Sequence, residues 1–158
     1  MQIRKAERKK AKLRLGISAP SGAGKTYSSL LIAYGITGDW EKVGLIDTEN
    51  GSGDLYAHLG SYSIIPIEAP FTPDKYIQAI KLFEENGFEC IIIDSLSHAW
   101  AGEGGVLEIV DAAMSGQKNK FTAWREVTPM HNALVNAMLQ SKCHIIATMR
   151  AKTEYVQE

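Results

Sequence analysis

The feature that most constrains the fold is a short glycine-rich segment between an apolar run and a helical stretch. Residues 19–26 read Ala-Pro-Ser-Gly-Ala-Gly-Lys-Thr. Small residues let successive backbone N–H groups turn toward one point, and the lysine and threonine stand where the helix begins. Because a helix N-terminus carries a partial positive charge, the segment predicts a cradle for phosphate. A strand before the cradle and a helix after it favour an α/β fold.

Short β-branched runs alternate with helical stretches along the rest of the chain. Five strands are predicted, at Leu13–Ser18, Val43–Asp47, Ser63–Ile67, Cys90–Asp94 and His144–Met149. Several of these runs are almost continuously apolar, which is typical of strands that are covered by helices on both faces.

The helix boundaries are predicted from capping residues and prolines. A helix is predicted over Thr26–Thr37, another begins at Pro73 with Thr72 as its cap, and a third covers Met130–Ser141 after Pro129. Alternating strands and helices predict a three-layer α/β domain with a mainly parallel five-stranded sheet. Ligands of such sheets bind beyond the carboxyl ends of the strands.

Length and composition indicate one globular domain. The chain has 158 residues, of which 45% are hydrophobic and 22% charged, and this excludes a disordered or collagen-like chain. No stretch approaches the roughly 20 apolar residues of a membrane span, so we expect a cytoplasmic protein with no membrane partner. Cys90 and Cys143 lie in apolar runs and are expected to be reduced core residues.

The charge is distributed unevenly along the chain. Residues 1–14 carry a net charge of +6, whereas the remaining residues carry −7. We therefore expect a basic N-terminal arm over residues 1–12 and one domain over residues 13–158. Such an arm suits a polyanion such as nucleic acid, although a solvated leader that keeps the first strand soluble has the same composition.

The phosphate cradle matches the Walker A pattern of P-loop proteins except at its first position, where Ala19 replaces glycine. If that position required a positive φ, alanine would cost about 1 kcal/mol. Lys25 is predicted to reach the β- and γ-phosphates of ATP, and the Thr26 hydroxyl to coordinate Mg²⁺. The predicted nucleotide-binding residues of this segment are Ser21, Gly22, Ala23, Gly24, Lys25, Thr26 and Tyr27.

Carboxylates stand at the ends of two other predicted strands. Asp94 follows four apolar residues, a Walker B pattern, and is predicted to hold the Mg²⁺ shell opposite Thr26 or, alternatively, to cap a turn. Asp47 and Glu49 alternate in extended backbone and so point to one side. We favour Glu49 as the general base that polarises the attacking water, with Asp47 structural. Alternatively, both belong to a charged loop that closes the strand.

The last predicted strand ends in a hydroxyl and a guanidinium. Thr148 is predicted to sense the γ-phosphate, and Arg150 to contact it in cis or to reach a neighbouring subunit. The planar donor fork of arginine suits phosphate. Alternatively, both residues merely terminate the strand.

In their order, these motifs resemble the RecA-type ATPase core over nearly the whole chain after residue 12. Residues 46–49 and 54–57 resemble the RecA segment with the catalytic glutamate and an adenine-stacking tyrosine, and residues 91–95 resemble its Walker B. The resemblance implies that Glu49 activates water and that Tyr56 stacks on adenine. It also implies a sensor strand between the phosphate-loop and Walker B strands, and a homo-oligomer whose sites a neighbour completes.

A closer similarity is to phage-encoded short RecA-like ATPases, of the AAA type, that are linked to recombination and single-strand annealing. His98-Ala99-Trp100 and residues 147–155 carry it. It implies an ATP-hydrolysing protein that acts on single-stranded DNA in a bacterial host cell and is encoded by a phage or prophage. Thr148 stands where RecA has glutamine. The chain stops at Glu158, where the second DNA loop of RecA would begin, so we expect either a C-terminally truncated fragment or an ordered core.

The segment Ala101–Trp124 is expected to be a mobile glycine-rich loop. It mixes cations with aromatic rings, as single-stranded nucleic acid requires, and the residues concerned are Lys118, Lys120, Phe121, Trp124 and Arg125. The alternative is an ordinary connection between helices, with a core tryptophan.

Two other functions remain open from the sequence. A small-molecule P-loop kinase would need a lid of several arginines, and between the Walker B and sensor strands only Arg125 is available. A nucleotide-gated binding module with negligible turnover would tolerate the departures at Ala19 and Thr148.

Overall fold

The computed structural model describes residues 2–7, 10–116 and 119–151. The strands are β1 (Arg14–Ala19), β2 (Val43–Asp47), β3 (Ser63–Pro66), β4 (Cys90–Asp94) and β5 (His144–Arg150). The α-helices are α1 (Lys25–Thr37), α2 (Pro73–Glu85), α3 (Ser97–Ala101), α4 (Val106–Ser115) and α5 (Lys120–Gln140), and there are 3₁₀ segments at Trp40–Lys42 and Ser52–Leu59. All five predicted strands are confirmed, with ends that shift by one residue at most.

All neighbouring strands of the sheet are parallel, and their order is β1-β5-β4-β2-β3. The sensor strand β5 therefore lies between the phosphate-loop strand and the Walker B strand, as the RecA resemblance implied. The register sets Asp47 beside Asp94 and Ala19 beside Arg150. The carboxyl ends of four strands thus meet at one edge of the sheet.

Helices cover both faces of the sheet, which confirms the predicted three-layer α/β fold. Alternate residues of β4 face opposite layers: Ile91 and Ile93 belong to the core against α2 and α5, while Cys90 and Ile92 belong to the core against α1. Fully burying one such aliphatic side chain contributes about 1.5–3 kcal/mol. None of the helices that the structure describes is long and apolar enough to cross a membrane.

The start of β1 is attached to the end of α5 by one side chain. The Arg14 guanidinium donates hydrogen bonds to the carbonyl oxygens of Leu139, Ser141 and Cys143, the last at 2.7 Å. These carbonyls lie at and just beyond the helix C-terminus, where a cation is favourable. Arg14, which contributes to the +6 charge of residues 1–14, therefore has a structural role. Next to it, Leu13 donates its backbone N–H to Nδ1 of His144 at 2.9 Å.

The predicted start of the last helix is wrong. Helix α5 begins at Lys120 and continues through Pro129. A proline in a helix removes one donor, and here the turns before it are retained because Ala123 and Val127 pack against Val106 and Val110 of α4. The N-terminus is capped by Asn119, whose side chain accepts from Thr122 N at 2.8 Å.

The loop predicted over Ala101–Trp124 is consequently also wrong, because most of that segment is helical. Trp124 packs in the small core between α4 and α5, with its ring 5.9 Å from that of Trp100. Phe121 is 79% exposed, whereas Lys118 lies outside the described residues. Trp124 is half-buried and packs against this core, as the alternative interpretation of the segment expects. Binding of nucleic acid by the segment stays a prediction.

Two smaller predictions have mixed outcomes. Pro73 is at the start of α2 as predicted, but the side chain of Thr72 makes no capping hydrogen bond. Both cysteines are buried and free, as predicted. Burial raises the pKa of the Cys90 thiol to about 12 and also raises the pKa of Cys143.

Candidate active site

The phosphate loop joins the end of β1 to the start of α1. Gly22 and Gly24 adopt φ angles of 79° and 86°, which only glycine adopts without strain. Ala19 is the last residue of β1, and Asn50 is the one non-glycine residue with positive φ in the described part of the chain. Alanine at the first Walker A position therefore carries no backbone penalty.

The side chain of Lys25 folds back over this loop. Its ammonium group donates hydrogen bonds of 3.0 Å to the carbonyl oxygen of Ala19 and 2.9 Å to that of Pro20. Both are interactions with the loop backbone, so the charge of Lys25 lies directly over the cradle. A triphosphate in the cradle would exchange these carbonyl contacts for charge-assisted ones.

A pocket of about 240 Å³ opens at this edge of the sheet. The predicted residues that line it are Ser21, Gly22, Gly24, Lys25, Thr26, Glu49, Tyr56, Asp94 and Arg150, together with Ser52 and Leu55. Tyr27 follows on α1, and its ring centroid lies 5.8 Å from that of Tyr56 at an interplanar angle of 46°. Parallel strands thus bring together residues that are more than 100 positions apart in sequence.

Thr26 and Asp94 form the oxygen pair expected of a magnesium site. The Thr26 hydroxyl donates to Asp94 Oδ2 at 2.5 Å, and both residues line the pocket. Among the described residues no group of three or more His, Cys, Asp or Glu side chains is placed to hold a metal ion. Mg²⁺ at phosphate sites takes one or two protein oxygens and completes its shell with phosphate and water. The pair fits such an ion.

Thr148 lies behind Asp94, away from the pocket lining. It is fully buried, and its hydroxyl donates to Asp94 Oδ1 at 2.6 Å. The sequence predicts that Thr148 senses the γ-phosphate. In the structure its hydroxyl contacts the Walker B carboxylate, because β5 lies beside β4, so any such sensing would pass through Asp94.

Asp47 organises the turn after β2. Its carboxylate accepts from the backbone N–H of Glu49 at 2.7 Å and from that of Gly53 at 3.1 Å, and the residue is only 2% exposed. The hydroxyl of Ser52, in the same turn, is buried without a hydrogen-bond partner in the described part of the protein. These contacts present Glu49 to the pocket, in agreement with a structural Asp47.

The carboxylate of Glu49 lies between the guanidinium group of Arg150 and the imidazole ring of His98. Its Oε2 forms an ion pair with the Arg150 guanidinium, and its Oε1 is 4.0 Å from Nδ1 of His98. The backbone N–H of Arg150 donates to Ser97 Oγ at 2.9 Å, which fixes the end of β5 over α3. Sequence reasoning identified Glu49 and Arg150 separately, but not the contact between them.

A second cavity, of about 700 Å³, lies on the other side of Arg150 and His98. Its walls are mainly apolar and come from α3, α4, α5 and the end of β5, with Trp100, Leu134 and Met138 among them. His98 was missed from the sequence because its role depends on contacts across the fold. The available signal was its place four residues after Asp94, at the end of the Walker B strand.

A strand–loop–helix cradle, a hydroxyl paired with a strand-end carboxylate, and a second carboxylate beyond the next strand define a P-loop nucleotide-binding domain. The family model described as AAA domain matches residues 11–158. The chain belongs to this family, whose members are P-loop ATPases. A comparison with curated proteins finds no match.

Proposed function

We propose that the chain binds ATP with Mg²⁺ at this pocket and hydrolyses it. One observation carries the proposal: Lys25, Thr26, Asp94 and Glu49 converge on a single pocket although they come from three strand ends. A cation, a hydroxyl–carboxylate pair and a separate carboxylate are the groups that phosphoryl transfer to water uses.

In the proposed mechanism each side chain has one task. Lys25 leaves the carbonyls of Ala19 and Pro20 and binds the β- and γ-phosphates. Thr26 and Asp94 would hold a magnesium ion, and such an ion would supply neutralisation of the charge on the phosphate oxygens. Glu49 accepts a proton from the water in line with the γ-phosphate.

Arg150 has to leave Glu49 before that proton transfer. A carboxylate paired with a guanidinium is a weaker proton acceptor than a free one, since the cation stabilises its charged form. The side chain of Arg150 is 45% exposed and borders the pocket. The γ-phosphate of a bound nucleotide is therefore an alternative partner for its guanidinium group. A neighbouring subunit's nucleotide is the other partner that we consider.

The same ion pair favours a second candidate function, a nucleotide-gated binding module with negligible turnover. If Arg150 stays on Glu49 when ATP is bound, nucleotide changes the state of the protein without chemistry. The two functions differ in one measurable quantity, the rate of phosphate release.

We also propose that the protein acts on single-stranded DNA in phage recombination, as a homo-oligomer. The proposal rests on the resemblance to phage-encoded RecA-like ATPases and on the basic arm over residues 1–12, whose described residues are exposed. Phe121 is exposed at the start of α5 next to Lys120, a ring and a cation that suit a base and a phosphate. Binding should therefore weaken with salt.

The first experiment is a phosphate-release assay with ATP and Mg²⁺, with and without single-stranded DNA, over a range of protein concentrations. Hydrolysis that DNA and protein concentration increase supports the whole proposal. Tight ATP binding without phosphate release supports the gated module. Transfer of phosphate to a small acceptor, with little hydrolysis alone, would indicate a kinase.

A further inference from the structure

His98 is held tightly beside the pocket by two neighbours. Its ring stacks on Phe71, with centroids 4.7 Å apart and an interplanar angle of 20°. Its Nδ1 lies 2.7 Å from the hydroxyl oxygen of Thr48. A stacked ring with a fixed nitrogen has little freedom to rotate, so the direction in which Nδ1 points is set by the fold.

The Thr48 hydroxyl is itself fixed by the backbone that follows β4. It accepts the backbone N–H of Ser95 at 2.9 Å, lies 3.2 Å from the carbonyl oxygen of Ser95, and is buried. The Walker B strand, through Ser95 and Thr48, therefore determines where His98 Nδ1 lies. That nitrogen is also the one that faces Glu49 Oε1 at 4.0 Å.

Glu49 thus has one flexible and one rigid neighbour. Arg150 is a long, half-exposed side chain, whereas His98 is a short ring confined between Phe71 and Thr48. When Arg150 turns to a phosphate, the imidazole stays where it is. We propose that His98 is the positioning residue for Glu49: Nδ1 makes its hydrogen bond with Thr48 and acts on Oε1, 4.0 Å away, electrostatically, which orients the carboxylate toward the attacking water; this rests on the ATP hydrolysis proposed above.

The test distinguishes a role of the Nδ1 atom of His98 from a role of its ring. His98→Phe keeps a ring that stacks on Phe71 but lacks Nδ1, whereas His98→Asn places a side-chain polar atom near the position of Nδ1 without the ring. We expect His98→Phe to lower kcat about tenfold with ATP affinity and melting temperature nearly unchanged, since misorientation of a catalytic group costs up to about a hundredfold. His98→Asn should recover part of kcat.

His131→Phe is the matched control. His131 borders the second cavity and contacts the Trp100 ring at 5.2 Å, without a described contact to Glu49. The His131→Phe substitution should leave kcat unchanged. A loss of kcat in His131→Phe as large as that in His98→Phe would assign the effect to the cavity wall and overturn the proposal.

The dependence on Glu49 is tested by a double-mutant cycle. If His98 acts through Glu49, His98→Phe should have no further effect on kcat in the Glu49→Gln background, because residues that act as a unit are not additive. If the losses of kcat from His98→Phe and Glu49→Gln multiply in the double variant, the positioning role is overturned.

A second readout does not need turnover. In nucleotide-free protein, the ¹⁵N resonances of the His98 imidazole should shift on Glu49→Gln and remain unchanged on Glu85→Gln, since Glu85 is at the far end of α2. Unchanged His98 resonances in an active enzyme would overturn this inference alone. A shifted resonance in a protein that releases no phosphate would overturn the proposed hydrolysis, and with it a role for His98 in turnover.

Discussion

Thr148 donates a 2.6 Å hydrogen bond to Oδ1 of Asp94, and both side chains are almost completely buried. The other oxygen of Asp94, Oδ2, accepts from Thr26 at 2.5 Å. The Walker B carboxylate is therefore held from behind by β5, and only one oxygen is directed to the phosphate loop. A change at Thr148 should act on the nucleotide site through Asp94.

Thr148→Val should destabilise the protein. Valine keeps the shape of threonine but leaves a buried carboxylate oxygen without its donor, which costs about 1–3 kcal/mol in the free energy of unfolding. Urea denaturation measures the loss. Thr148→Ser, which retains the hydroxyl, is the control and should lose less. Equal stability of the valine variant and the parent would show that this hydrogen bond does not hold Asp94.

Lys25→Ala should weaken ATP binding and leave the fold intact, because the ammonium group donates to two loop carbonyls and, among the described residues, makes no other hydrogen bond. Losing a hydrogen bond to a charged group costs about 1.5–3 kcal/mol, or roughly a tenfold to hundredfold loss of affinity. Titration with a fluorescent ATP analogue gives the constant. Lys42→Ala, at the opposite end of β2, is the matched control. The phosphate-loop assignment would fail if both variants bound ATP as the parent does.

Glu49→Gln should separate binding from chemistry. Glutamine retains size and hydrogen-bonding capacity but cannot accept the proton of water, so ATP affinity should stay near normal while turnover falls about 10²-fold or more. Phosphate release is measured at protein concentrations where any assembly is complete. Asp47→Asn should affect turnover less, provided that the fold is intact. Normal hydrolysis by the glutamine variant would place the base elsewhere.

Arg14→Met should lower the free energy of unfolding by about 1–3 kcal/mol, because three carbonyl oxygens at the end of α5 lose a charged donor. Thermal and urea unfolding provide the measurement. Lys10→Met removes the same charge from an exposed position and should change stability by less than about 0.5 kcal/mol. If both variants lost similar free energy of unfolding, the cause would be the change in net charge and not the loss of hydrogen bonds at the end of α5.

Stability should fall when the solution becomes mildly acidic, in part because of His144. Burial lowers the pKa of His144, and the nearby charges of Lys12 and Arg14 lower it further. The unfolded chain, with an ordinary histidine pKa of about 6.5, then binds the proton more readily than the folded protein does. The contribution of His144 is therefore complete above that pH and is lost as the pH falls through the folded value.

The free energy of unfolding, measured between about pH 7 and pH 5, should show this loss. Protonation of Nδ1 would also remove the acceptor of the Leu13 N–H. His144→Asn provides an acceptor at a similar position that does not titrate, so its stability should depend less on pH in this range. Parallel pH profiles for the parent and His144→Asn would exclude His144 as the cause.

The strands and the site edge were predictable from sequence because both depend on local chemistry. A run such as Cys90–Asp94 has four apolar residues followed by a carboxylate, and parallel strands bring such ends together. Most of the predicted site residues therefore line one pocket, whereas Ala23, Tyr27 and Thr148 do not. The place of β5 between β1 and β4 was implied by the resemblance to RecA and not by periodicity, and the rest of the strand order comes from the structure.

What the sequence did not predict depends on contacts between distant elements. Pro129 was taken as a helix start, but packing against α4 retains the turns before it. Thr148 was assigned to the phosphate because strand position alone does not say which neighbouring side chain a hydroxyl meets. His98 has no metal-ligand spacing, and its place is set by Phe71 and Thr48, which come from other parts of the chain.

Pro129 divides α5 between two separate cores, and this has a consequence for motion. The turns before it pack with α4 in a small satellite cluster, whereas Leu134 beyond it belongs to the main core on the sheet. The Trp100 ring contacts Trp124 on the first half and His131 on the second, so it spans the break. A subglobal opening of α4 together with the part of α5 before Pro129 would leave the sheet intact. Backbone amide hydrogens before and after Pro129 would then exchange with solvent through different opening events, although they belong to one continuous helix.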